Sequence, residues 1–122
     1  MAELTALEML RRVDALLPNQ YDREEKRRWL AQAEGFVVRE ILAPCGAQRE
    51  VPDPLPDRWV LLAPPPYDEL YRHYVEYQIH YANGETERSN SAAALWNNGL
   101  LTYRDYYFRT HLPTGVKALR LT

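Results

Sequence analysis

The sequence predicts an all-α fold: a small helical bundle of about four helices, with a long Pro-rich loop between helices 2 and 3 and an extended C-terminal tail. Apolar residues recur at intervals of three and four along four separate stretches, the spacing of one face of an α-helix. Seven of the nine prolines crowd into residues 43–66, between the second and third stretches. Only Trp59–Leu62 and the V-K-A-L-R-L of the last ten residues hint at extended chain. At 122 residues the chain is one ordinary domain, 1–122. Its 46% hydrophobic and 26% charged content supports a packed core rather than disorder.

The first helix is expected over Glu3–Leu17, with Leu4, Leu7, Leu10, Val13 and Leu17 on its apolar side and Glu8, Arg11, Arg12 and Asp14 between them. Pro18 and Asn19 end it, because proline disfavours helix in the residue before it. The second starts at Asp22, which with Glu25 resembles a capping box. Trp29, Leu30, Ala33, Phe36, Val37 and Ile41 form its apolar face, and Pro44 ends it. Gly35 inside this helix costs about 1 kcal/mol relative to alanine, which a close helix–helix contact would explain.

The loop 43–66 reads either as a proline-stiffened crossover with Trp59 pinned to the core or as a binding loop. The third helix follows the triple proline, with Asp68 and Glu69 in its first turn, where carboxylates suit the helix dipole. Its stripe is Tyr67, Leu70, Tyr71, Tyr74, Val75, Gln78, Tyr81 and Ala82, broadened by Tyr77 and Ile79, so it should touch more than one partner. Asn83-Gly84 suits a left-handed helix end, unless the helix runs on through Glu85–Arg88. Asn90 or Ser91 then caps a fourth helix carrying Ala92, Leu95, Trp96, Gly99, Leu100, Tyr103, Tyr106 and Tyr107, which Pro113 ends. The tail, 113–122, is either a frayed terminus or a strand added to a neighbour.

Composition excludes several function classes. A net charge of −2 argues against strong binding to phosphate backbones. The mixed run Arg23–Arg28 reads as a solvated helix face with pairs such as Glu24–Arg28. The one cysteine, Cys45, supports neither an internal disulfide nor a metal motif. No apolar stretch suits a signal peptide or a membrane span, so a reducing cytoplasm is the expected place of synthesis.

Chemistry is equally thin. His73 and His80 are seven apart, and although Glu76 and His80 have i,i+4 spacing, no third ligand is evident; no metal site is expected. No nucleophile sits in a recognisable setting, and Gly84 and Gly99 are isolated, so neither a phosphate loop nor any cofactor site is expected. The reading is therefore not an enzyme. Nine tyrosines, eight of them after residue 66, suit half-buried faces and protein interfaces. Asn83, Asn90, Asn97 and Asn98 among them suggest a hydrogen-bonded helix–helix seam.

The second half also carries a motif. Pro66, Tyr67, Asp68, Leu70 and Tyr71 are followed by Gln78-Ile79, Asn83-Gly84-Glu85, Asn90-Ser91, Trp96-Asn97 and Tyr106-Tyr107-x-Arg109-Thr110-His111. This pattern, with Pro18–Tyr21 and Trp29-Leu30 upstream, resembles a family of small proteins of tailed phages and prophages of Gram-positive bacteria associated with virion head and neck assembly. Ser89 stands where that family has tyrosine, and the tail after Pro113 is longer than usual.

The resemblance implies a head–tail connector or head-completion protein, located in the virion neck and assembled in the host cytoplasm. It implies a ring of identical copies, dodecameric in the expected case, beneath the portal protein. Further partners are the next neck or tail protein and the major capsid protein, with DNA passing through the channel without specific binding. Interface candidates are Trp59, Tyr71, Tyr77, Tyr81, Trp96, Tyr103, Tyr107, Arg109 and His111. The alternatives are another phage assembly protein, capsid-associated or a tail-assembly chaperone, and a small DNA-binding regulator using Arg23–Arg28.

Overall fold

A computed structural model describes residues 4–111. The four expected helices are present: α1 (Ala6–Leu16), α2 (Arg23–Val37), α3 (Glu69–Ala82) and α4 (Thr86–Thr110). Among the described residues there is no strand, only an isolated antiparallel bridge between Thr5 and Val60. The tail 113–122, with its V-K-A-L-R-L, and Pro113 lie outside the described residues.

α1 starts three residues later than the leucine spacing predicts, because Thr5 and Glu8 form a reciprocal capping box. The Glu8 N–H donates to Thr5 Oγ1 at 3.2 Å and the Thr5 N–H to Glu8 Oε1 at 3.0 Å. The T-x-x-E signature is plain in the sequence. The buried side is consequently Ala6, Met9, Leu10 and Val13, while Leu4, Leu7 and Leu17 are only partly covered. At α2, half of the predicted box forms: Asp22 accepts the Glu25 N–H at 2.8 Å. Its expected face is buried apart from Phe36, which is half-buried.

The helix then widens into a π-helical turn, Val38–Leu42, and tightens into a 3₁₀ turn, Ala43–Cys45. Pro44 has no N–H to continue the α ladder, and Gly46, at φ 88°, reverses the chain. A Cβ added at Gly35 would meet nothing within 4 Å, so a close helix contact does not explain this glycine. The close approach lies instead at Gly99, where an added Cβ would stand 3.1 Å from Leu70 Cβ.

The proline-rich segment is a packed crossover. Leu55, Leu61 and Ala63 are buried. Its carbonyls complete α1: the Ala6 N–H donates to the Trp59 carbonyl at 2.9 Å and the Leu7 N–H to the Asp57 carbonyl at 3.1 Å. These are first-turn donors with no partner inside the helix.

The α3–α4 hairpin closes through a complete left-handed cap. The Gly84 N–H donates to the Tyr81 carbonyl at 3.1 Å and the Glu85 N–H to the His80 carbonyl at 2.9 Å, with Gly84 at φ 76°. This three-residue turn lets α4 begin at Thr86, so Asn90 and Ser91 lie inside the helix and cap nothing. α3 starts at Glu69, after a turn across Pro64–Asp68, and contacts α1, α2 and α4, as its broad stripe predicts.

Candidate functional site

Four polar side chains are buried among the described residues, Lys26, Glu34, Asp68 and Ser89, and Lys26 corrects the solvated face expected for Arg23–Arg28. Glu34 is fully buried on α2, and its carboxylate organises the crossover. Oε2 accepts Trp59 Nε1–H at 2.7 Å and the Leu62 N–H at 2.9 Å, while Oε1 accepts the Tyr71 hydroxyl. The Tyr71 oxygen in turn accepts the Ala63 N–H at 2.9 Å. Burial pushes the Glu34 carboxyl above its ordinary range, against the pull of its hydrogen-bond donors and of Arg49. Burial and the neighbouring Glu34 push the Tyr71 hydroxyl far up, so it stays protonated and donating.

Lys26 is also buried, with Nζ 2.8 Å from Asp14 and 3.2 Å from Asn19. Asp68 meets Arg12 at 3.0 Å, and Arg12 also reaches Glu69 at 2.5 Å. Partial burial acts upward on Glu69, but Arg72 and Arg12 outweigh it and hold the carboxyl below its usual range. These groups have partners within the fold and read as structural.

Tyr71, Trp96 and Tyr103 are corrected from interface to core: all three are buried. Tyr71 serves Glu34. Trp96 packs edge-on to Tyr74 and Phe36, and Tyr103 lies against Tyr67 and Tyr107. Burial and the surrounding hydroxyls push Tyr103 up to about 12. Trp59 is half-buried, held by Glu34 and covered by the Arg49 guanidinium 5.1 Å from its ring. Tyr77 and Tyr107 are half-buried, the latter stacked on His111 at 4.0 Å. Only Tyr81, Arg109 and His111 stand open, and they do not converge: Tyr81 lies beside the start of α4 and the other two at its far end.

The asparagine seam forms at Asn83 alone. Asn83 accepts the Tyr21 hydroxyl at 2.6 Å and Gln20 at 3.2 Å, while Asn90, Asn97 and Asn98 face outward. Ser89, which replaces the expected tyrosine, is buried and donates to the Tyr77 carbonyl at 3.3 Å.

What remains open is the outer side of α4. The helix buries Ser89, Ala92, Trp96 and Tyr103. Its outer positions Asn90, Ser91, Ala94, Leu95, Asn97, Asn98, Leu101 and Thr102 are uncovered among the described residues, and Leu95 and Leu101 are 50% and 46% exposed. No charged residue occurs from Ser89 to Tyr103. Depletion of charge together with exposed leucine marks a surface suited to protein contact. Leu95 forms the ridge between two shallow grooves along the α3–α4 seam. One, of about 350 Å³, runs by Glu76, His80, Glu87 and Arg88; the other, of about 230 Å³, runs by Tyr67, His73 and Gly99.

Neither groove gathers reactive groups. Glu76 pairs with Arg72 at 2.9 Å and His80 with Glu85 at 2.7 Å, so Glu76 and His80 are turned to different partners. Among the described residues no three metal-ligating side chains converge. The Cys45 thiol faces the His111 carbonyl, and desolvation pushes it upward, away from thiolate. The Arg23–Arg28 run is neutralised locally: Arg23 and Arg27 both lie 3.6 Å from Asp57, and Arg28 lies 3.5 Å from Glu24. No described helix is long and apolar enough to cross a membrane. Comparison with protein-family models, curated proteins and solved structures returns no match.

Proposed function

We propose that this chain is a virion structural protein, a head–tail connector that assembles as a ring beneath the portal and offers a docking platform to the next neck or tail protein. The observation that carries the reading is the uncharged, uncovered outer face of α4, which lies within the stretch whose motif resembles phage head-completion proteins. A face of amides, small residues and two leucines suits contact with protein rather than nucleic acid. The slightly acidic balance suits a channel wall that DNA passes without being held. The locally paired Arg23–Arg28 run weakens the DNA-binding alternative.

The crossover has a supporting role in this reading. Its residues pack onto their own helices, which leaves exposed points such as Gln48–Glu50 and Arg58 to meet a neighbour. Co-expression with the portal protein of the same virus, followed by native mass spectrometry and electron microscopy, tests the proposal. A cyclic complex on the portal and presence in purified particles are expected. A chain that ignores the portal and is missing from particles overturns it; portal-independent presence only during assembly favours a chaperone.

A further inference from the structure

We infer that two copies of this chain pair through the outer face of α4, antiparallel, about a two-fold axis at Asn98. The inference rests on that face and not on the connector reading. Stepping outward from Asn98 by three, four, seven and eleven residues gives Leu95 and Leu101, Ala94 and Thr102, Ser91 and Asp105, and Glu87 and Arg109. At 100° per residue, all lie within about 60° of the direction of Asn98, on one face about 33 Å long. All but Asp105 and the two ends are uncharged, and every one is exposed.

A two-fold axis at Asn98 maps each member of a pair onto its opposite. Leu95 of one copy then meets Leu101 of the second copy, and the contact occurs twice. The two Asn98 carboxamides face each other, and each carries both a donor and an acceptor. Glu87 meets Arg109 of the second copy at both ends. Among the described residues neither Glu87 nor Arg109 has an ion-pair partner, whereas their neighbours Arg88 and Arg104 pair locally with Glu85 and Asp105 at 3.9 and 3.8 Å. A parallel arrangement would instead set Glu87 beside Glu87 and Arg109 beside Arg109. Phosphate backbones and anionic lipid find no basic group between Ser89 and Tyr103, so a second copy is the occupant the charges favour. If the chain is a connector, this dimer is its form before assembly, and the ring neighbour displaces it.

Sedimentation equilibrium of the full chain is expected to show a concentration-dependent monomer–dimer equilibrium. Leu101→Glu and Leu95→Glu should each give monomer with the parent's circular dichroism and, at low protein concentration, the parent's melting temperature. Glu87→Arg alone, and Arg109→Glu alone, should weaken pairing about tenfold, since each end pair occurs twice, and the double variant should recover it. In a Cys45→Ser background, Asn98→Cys should cross-link to its own copy under mild oxidation. A monomer at every concentration overturns the inference, as does a dimer that survives Leu101→Glu, charge reversals that fail to rescue one another, or a larger ring without the Asn98→Cys cross-link. A strict monomer that still forms a portal ring removes the dimer and leaves the connector; a dimer that ignores the portal does the reverse.

Discussion

The crossover before α3 takes the packed alternative of its two readings, while the outer face of α4 leaves part of a core-like stripe bare. Residues 46–68 have the composition of an exposed loop, yet they bury Leu55, Leu61 and Ala63 and supply two carbonyls to the start of α1. α4 has the periodicity of a core helix, yet Leu95 and Leu101 on it are about half exposed. The difference lies in where each segment's backbone hydrogen bonds go. A helix satisfies its own backbone groups and can leave a face bare at little cost. An irregular segment can be buried only if other groups take its N–H donors. Here Glu34 takes Leu62, and Tyr71, itself held by Glu34, takes Ala63. One buried carboxylate thus converts a loop into part of the core.

Removing that carboxylate is the largest expected break in the comparison. Glu34→Ala leaves the Trp59 indole, the Leu62 amide and the Tyr71 hydroxyl without their acceptor, and should cost about 3–5 kcal/mol. Chemical denaturation followed by tryptophan fluorescence measures it; a loss below 1 kcal/mol would show that the crossover holds without Glu34. Glu34→Gln sharpens the point through pH. The folded-state value is raised above the ordinary 4.5, so the folded chain binds a proton that the unfolded chain releases. That contribution is fully present below 4.5 and is lost as pH rises through the folded value. The parent should therefore lose stability relative to Glu34→Gln as pH rises through this window. A constant difference across it would mean that burial does not control this carboxylate.

The two helical glycines provide the next contrast. Gly99 faces Leu70 at a distance that leaves little room for a side chain, and Leu70 is buried. Gly99→Val should therefore wedge α3 from α4 and cost about 1–3 kcal/mol. Gly35 has open space, and Gly35→Ala should stabilise by up to about 1 kcal/mol through helix propensity. Thermal melts of both variants should move in opposite directions. Equal shifts of one sign would remove the distinction between the seam at Gly99 and the open face at Gly35. A smaller loss, about 1 kcal/mol, is expected for Thr5→Ala, which deletes the cap of α1 while its bonds to Trp59 and Asp57 persist.

The helices were legible because their signals are local. Heptad-like spacing, Pro18, Pro44 and Asn83-Gly84 place four helices without any knowledge of packing. Their starts were less legible where two local signals competed: the leucines of α1 outvoted Thr5–Glu8, and Asn90 outvoted the cap already completed at Gly84. Side-chain exposure was the least legible. Leu95 and Trp96 are adjacent and both fit an apolar stripe, but only Trp96 is buried, because Phe36 and Tyr74 meet it from α2 and α3. Which face of a helix has partners is decided by segments far away in sequence. Glu34 was hidden for the same reason: its partners lie 25–37 residues downstream. The candidate surface did leave one local trace, the fifteen residues from Ser89 to Tyr103 without a charge.

The smallest expected effect on stability is the most informative about that surface. Leu101→Glu replaces an exposed leucine on a helix with a residue of similar helix propensity. If the outer face of α4 is covered by nothing within the chain, the monomer should change by no more than about 0.5 kcal/mol. The denaturation midpoint should then match the parent's at low protein concentration and fall behind it at high concentration, where pairing stabilises the parent alone by mass action. A Leu101→Glu chain that is strongly destabilised even at the lowest concentration would mean that the face is buried within a single copy. The contrast between a locked crossover and a bare helix would then fail at its second term.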